Sequence, residues 1–110
     1  MMTEDVSQPV RLCSVGDITI GAARRFDVNG LEICVVRCED GFHAVADQCS
    51  HEDYSLSEGE VDGTSCEIEC WKHGSLFSLI TGEPLTLPAT QPIAVYEVIV
   101  DGDDVLVRLS

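Results

Sequence analysis

The chain has 110 residues, enough for one hydrophobic core and too few for a second catalytic domain beside a bound group. Six lysines and arginines oppose twenty aspartates and glutamates, a formal charge of -14, which argues against nucleic acid and anionic membrane surfaces and favours a basic protein surface as partner. The start, Met1-Met2-Thr3-Glu4-Asp5-Val6, has neither a positive nor an apolar targeting segment, and no stretch approaches the roughly 20 apolar residues of a spanning helix, so a soluble cytoplasmic protein is expected.

After a polar terminus of about eight residues, the pattern from Val10 onward is short apolar or alternating runs bounded by turn residues, without helical periodicity. This predicts an all-β, antiparallel fold. Asn29-Gly30, between runs 24–28 and 31–38, is the strongest hairpin signal, because both central residues of a type I′ turn need positive φ. Asp40-Gly41 before run 42–46 repeats the signal. Residues 47–92 hold four of the nine glycines and three of the four prolines, and read as a loop-rich insert on the β frame. Within it, Gly59, Gly63, Gly74 and Gly82 sit where tight turns would let loops approach closely. Asp101-Gly102-Asp103 then joins runs 95–100 and 105–109 in a closing hairpin. The whole, 1–110, reads as one domain.

The insert carries the chemistry. Cys49-Ser50-His51 and Cys70-Trp71-Lys72-His73 each supply one thiolate and one imidazole, with eighteen residues between His51 and Cys70. Cys49 and His51 lie two apart and point the same way from an extended segment, about 6.6 Å apart along the chain. Cys70 and His73 lie three apart and need a turn to converge, with Gly74 as its flexible exit. Two cysteines and two histidines are the ligand set of a Rieske 2Fe-2S cluster, with one thiolate from each loop on one iron and both imidazoles on the other. Two cysteinates, two sulfides and two neutral histidines leave that cluster uncharged against two ferric ions, so it accepts an electron more readily than an all-thiolate one. The alternative is a Cys2His2 zinc site, but its usual spacings pair two cysteines and then two histidines.

Six cysteines could also indicate a secreted disulfide framework, yet two sit at metal-ligand spacing and no secretion signal accompanies them. Cys34 and Cys38 lie four apart on one strand, about 13 Å, too far for a disulfide, and read as small buried hydrophobes. Cys66 lies four before Cys70 and could be mistaken for a ligand, but the pairing with His73 selects Cys70. His43 reads as a strand histidine, with no second ligand at metal spacing from it.

These motifs, with Leu56-Ser57-Glu58-Gly59, Thr81-Gly82-Glu83-Pro84 and Leu87-Pro88-Ala89, resemble the soluble Rieske-type ferredoxins of bacterial non-haem iron oxygenase systems, from about residue 10 to the end. The resemblance implies a β-sandwich with a cluster-binding subdomain at about 47–92, and a proline-containing loop at 82–89 that covers the cluster. It implies Cys49, His51, Cys70 and His73 as ligands of one 2Fe-2S cluster, with His51 and His73 as the points of electron exit. It also implies a monomeric carrier, not an enzyme, that takes electrons from a flavin-dependent reductase and delivers them to a terminal oxygenase of the aromatic ring-hydroxylating type. A related resemblance, in Leu56-Ser57-Glu58-Gly59-Glu60-Val61 and Leu87-Pro88-Ala89-Thr90, is to small Rieske proteins that accompany iron-sulfur cluster assembly. A third reading is an interaction module whose cluster only holds its loops together.

High-potential Rieske proteins of respiratory complexes carry an extra cysteine in each loop, joined as a disulfide, and this chain has none there. Ser75 matches a position whose hydroxyl donates to a bridging sulfide in those proteins, whereas Phe77 stands where they have a tyrosine. Fewer donors mean less stabilisation of the reduced cluster, and place the potential in the lower part of a range of about −150 to +300 mV. Lys72, the only lysine, and Trp71 lie between two ligands, where the one could face an acidic partner or solvent and the other could shield the cluster or anchor docking.

Overall fold

The computed structural model describes residues 9–48, 55–70, 74–87 and 91–109. The strands are β1 (Val10–Ser14), β2 (Ala23–Val28), β3 (Leu31–Cys38), β4 (Gly41–Ala46), β5 (Val61–Asp62), β6 (Glu67–Glu69), β7 (Leu76–Ser78), β8 (Val95–Asp101) and β9 (Asp104–Arg108), with single 3-10 turns at Val15–Asp17 and Leu56–Glu58. Six form one sheet in the order β1-β9-β8-β4-β3-β2, three form a second in the order β5-β6-β7, and every pairing is antiparallel. This is the all-β, antiparallel, two-sheet architecture expected. No helix among the described residues is long and apolar enough to cross a membrane.

Strand β3 organises the interior. Ile33, Cys34, Val35 and Val36 are all fully buried, although successive side chains of a strand face opposite ways. Ile33 and Val35 pack with Cys13, Ile18, Ala44, Val105 and Val107 inside the large sheet, while Cys34, Val36 and Cys38 pack with Leu56, Ile68, Phe77 and Leu79 against the small one. The unbroken apolar run of β3 is thus that of a strand covered on both faces. Cys34 and Cys38 are the buried hydrophobes expected, and no disulfide joins the five cysteines among the described residues.

The Asn29-Gly30 turn has the two positive φ values it requires, 50° and 81°. The next hairpin differs from expectation by one residue. Its turn is Glu39-Asp40, and Gly41 is already the first residue of β4, paired with Cys38 at φ 138°. The three short strands of the second sheet also went unseen in the sequence, because two or three residues are too few to display a period of two.

Gly82 is required twice over. It sits at φ 79°, and a side-chain carbon there would run into the carbonyl of Ile93, whose own N–H donates to the Gly82 carbonyl at 2.8 Å. Gly16 has a negative φ and open space around it. Gly82→Ala is expected to cost about 2–4 kcal/mol, from left-handed backbone plus overpacking. Gly16→Ala should shift a urea-unfolding midpoint only slightly, so equal midpoints for the two variants would contradict this account.

Candidate metal centre

The first ligand-bearing loop is closed at its base. Gln48 and Ser55 form an antiparallel bridge, and the N–H of Leu56 donates to the carbonyl of Asp47. The Asp47 side chain, fully buried, accepts the N–H of Ser57 through Oδ1 at 2.8 Å. Its Oδ2 has no hydrogen-bond partner among the described residues and lies 3.9 Å from Arg25 Nε. Arg25 is otherwise committed to Asp27 and Glu32 at 3.1 and 3.0 Å. Cys49 and His51 lie between these closures, in 49–54, outside the described residues.

The second loop is likewise closed at its base. Cys70 N–H donates to the Ser75 carbonyl at 2.7 Å, and Gly74 N–H donates to the Cys70 carbonyl at 2.8 Å. Gly74 has φ 75°, the exit the sequence predicted. Cys70 is fully buried, in the same apolar cluster as Leu56 and Phe77. Trp71, Lys72 and His73 fall in 71–73, outside the described residues.

The two loops are held side by side. A side-chain carbon on Gly59, just after the first loop, would collide with the carbonyl oxygen of Glu69, just before Cys70. Glu69 N–H donates to the Glu60 carbonyl at 2.8 Å and fixes that approach. A third segment packs alongside, with Leu76 N–H donating to Thr86 Oγ1 at 2.8 Å and Leu85 N–H to the Leu76 carbonyl at 2.6 Å. Leu85 and Leu87 on this segment are exposed, and Pro88 and Ala89 lie outside the described residues.

The donor set fits a Rieske cluster. The two segments expected to carry its thiolates and imidazoles touch at their bases, between Gly59 and Glu69, and neither segment alone offers a full coordination shell. Ser75 and Phe77, which follow the second loop in the chain, are both fully buried. Glu60, Asp62, Glu67 and Glu69 line an open groove beside it, so the surface next to Cys70 is acidic. The Ser65 N–H, the Ser65 side chain and, least, the Thr64 N–H hold the Asp62 carboxyl below its ordinary range.

Sequence reasoning missed Asp47, Gly59's partner Glu69, and Thr86. They act by closing loops, and nothing in a one-dimensional pattern marks a carboxylate as the acceptor of an N–H ten residues away. It also left His43 without a second ligand, whereas the fold brings Asp40 Oδ1 to 3.0 Å from its Nε2 and gathers Cys38 and Cys66 nearby.

The Rieske [2Fe-2S] domain family matches residues 8–97. The ferredoxin subunit of 3-phenylpropionate/cinnamic acid dioxygenase from Escherichia coli K12 is 38% identical over 97 residues, 88% of this chain and 90% of that protein. The ferredoxin of carbazole 1,9a-dioxygenase from Nocardioides aromaticivorans IC177 superposes with a TM-score of 0.90 at 38% identity, covering 94% of this chain and all of that one. A structure described as a complex of reduced oxygenase and oxidized ferredoxin in carbazole 1,9a-dioxygenase includes a chain that matches at TM-score 0.83 and 39% identity, over 89% of this chain.

Asp47→Ala should strand the part-buried Ser57 N–H and cost about 1–3 kcal/mol. Asp47→Asn, which keeps Oδ1 as acceptor, should retain most of that stability. Iron retained after partial urea treatment checks both, and an alanine variant that holds iron as firmly as the parent would refute a clamping role for Asp47.

Proposed function

This chain belongs to the Rieske [2Fe-2S] domain family and binds one Rieske-type 2Fe-2S cluster, and from that premise we propose that it is the ferredoxin component of an aromatic ring-hydroxylating dioxygenase system. It takes single electrons from a flavin-dependent reductase and hands them to a terminal non-haem iron oxygenase. It is an electron carrier and not a catalyst in its own right. The observation that carries this reading is the pair of closed loops, apposed at Gly59 and Glu69, in a chain similar over nearly its whole length to dioxygenase ferredoxins.

The whole chain acts as one domain, with about 47–92 as its cluster-binding part. In this reading Cys49 and Cys70 hold one iron and His51 and His73 the other. When bound, the cluster supplies one-electron chemistry, with no bond made or broken in a substrate. The chain's own residues do three things around it. Asp47, Gly59 and the Cys70–Ser75 turn hold the ligand loops in register. Phe77, fully buried, brings no hydroxyl toward the sulfurs, so the reduced state gains fewer hydrogen bonds than in high-potential relatives. Leu85 and Leu87, exposed beside the second loop, and the carboxylates of the adjacent groove offer a face for docking, apolar at one part and acidic at another.

The acidic face predicts steering toward basic partners. Among the described residues, the arginines at 11, 25 and 108 already pair with carboxylates, which leaves the surplus negative charge outward. Electron exchange with purified dioxygenase reductase and oxygenase should be fast at low salt and slow as ionic strength rises, since surface charges are screened within about 10 Å at 0.1 M. Failure of the cluster to pass electrons to any such oxygenase, with exchange or binding at a cluster-assembly scaffold instead, would replace this reading.

A redox titration should place the midpoint potential in the lower part of the Rieske range. A value above about +150 mV would contradict the reading of Phe77.

A further inference from the structure

The turn between β3 and β4 and the turn between β5 and β6 meet, and their meeting place is built from metal-binding chemistry. Glu39 N–H donates to the Gly63 carbonyl at 3.0 Å, and Thr64 Oγ1 donates to Glu39 Oε2 at 2.6 Å. Beneath these bonds lie the donor atoms of Cys38, Asp40, His43 and Cys66, all within 4.8 Å of one another. A tetrahedral zinc ion separates its sulfur ligands by about 3.8 Å and its nitrogen and oxygen ligands by about 3.4 Å, so closure onto an ion needs movements of about an ångström.

We propose that Cys38, Asp40, His43 and Cys66 form a binding site for a soft divalent cation, zinc in the first instance, distinct from the iron-sulfur centre. Four observations carry it. The donor set of two thiolates, an imidazole and a carboxylate is one that zinc accepts. Cys66 is held at φ 60°, a left-handed conformation that a non-glycine residue seldom adopts, and this aims its thiol toward the group. Both thiols are nearly fully buried, while Asp40 is exposed and His43 partly so, which leaves a cation one side from which to arrive. Finally, the ligand set proposed for the iron-sulfur cluster, Cys49, His51, Cys70 and His73, leaves both thiols unused.

The electrostatics agree. Burial pushes the Cys38 and Cys66 thiols up, and the two are hydrogen-bonded to each other, with Asp40, Asp62 and Glu67 adding negative field. A cation is the counter-charge this corner lacks, and it would displace both protons on binding. The bound ion would tie the β3–β4 turn of the large sheet to the β5–β6 turn of the small sheet, a second clamp independent of the cluster.

The test uses the full chain with its iron-sulfur cluster in place, stripped with a mild chelator, given zinc chloride and desalted. About one zinc per chain should be retained alongside the iron, and X-ray absorption at the zinc edge should show two sulfur neighbours at about 2.3 Å and two lighter ones at about 2.0 Å. Cys38→Ser and His43→Gln should each weaken zinc retention at least about tenfold while leaving the cluster's visible spectrum unchanged. His43→Gln, at a partly exposed position, serves if the cysteine variant folds poorly. Zinc should also raise the melting temperature of the parent protein and not that of His43→Gln. The proposal is overturned by zinc below about a tenth of an equivalent, by retention that neither variant alters, or by a Cys38–Cys66 disulfide in protein alkylated directly from cells.

Discussion

The carbonyl oxygen of Glu69 lies where a side-chain carbon of residue 59 would have to be, so glycine lets the exit of one ligand loop close over the start of the other. A cluster bridged by two loops can form only if their bases are already adjacent, because ordering two free segments around a metal would cost about 1–2 kcal/mol for each residue fixed. The Glu69–Glu60 hydrogen bond and the buried Asp47 carboxylate serve the same end from either side. The protein's contribution to electron carriage is therefore geometric. It brings together the bases of the two segments that carry the expected thiolates and imidazoles, so that a cluster need not gather two free segments to form.

That geometry depends in turn on β3. A strand buried on both faces is shared property: Ile33 and Val35 belong to the interior of the large sheet, Cys34 and Val36 to the packing against the small one. The small sheet has strands of only two or three residues and would not stand alone. It is ordered because Ile68, Phe77 and Leu79 bury themselves against β3 and β4. The described bases of the two loops are thereby tied to the frame, through Leu56 after the first and Cys70 at the start of the second.

Charge is divided just as plainly. Arginines at positions 11, 25 and 108 meet carboxylates at the frame's surface, and Arg37 donates to the carbonyls of Val15 and Ile18 while stacking over Phe42 at 5.2 Å. Positive charge is thus spent internally. Among the described residues, Glu60, Asp62, Glu67 and Glu69 around the small sheet meet no arginine and line an open groove. A carrier that must find its partners by diffusion and leave them again gains from such a long-range, readily screened attraction.

The residue types and spacings of Cys49, His51, Cys70 and His73 were legible without any coordinates, because metal chemistry demands particular donors at particular intervals and a chain displays both openly. The hairpins were legible for a similar reason: Asn29-Gly30 and Gly102 advertise backbone angles that few other residues accept. Their register was less so, as the one-residue displacement at Gly41 shows, because where a turn ends depends on which residues pair across it. The small sheet, the buried role of Asp47, and the gathering of Cys38, Asp40, His43 and Cys66 were not visible in the chain at all. Each joins residues about ten to thirty apart whose contact exists only after β3 has been covered on both sides, and local pattern carries no record of such meetings. Sequence alone determined which chemistry this protein performs. Tertiary packing decided how the loops that perform it are held, since only the folded core brings Gly59 to Glu69.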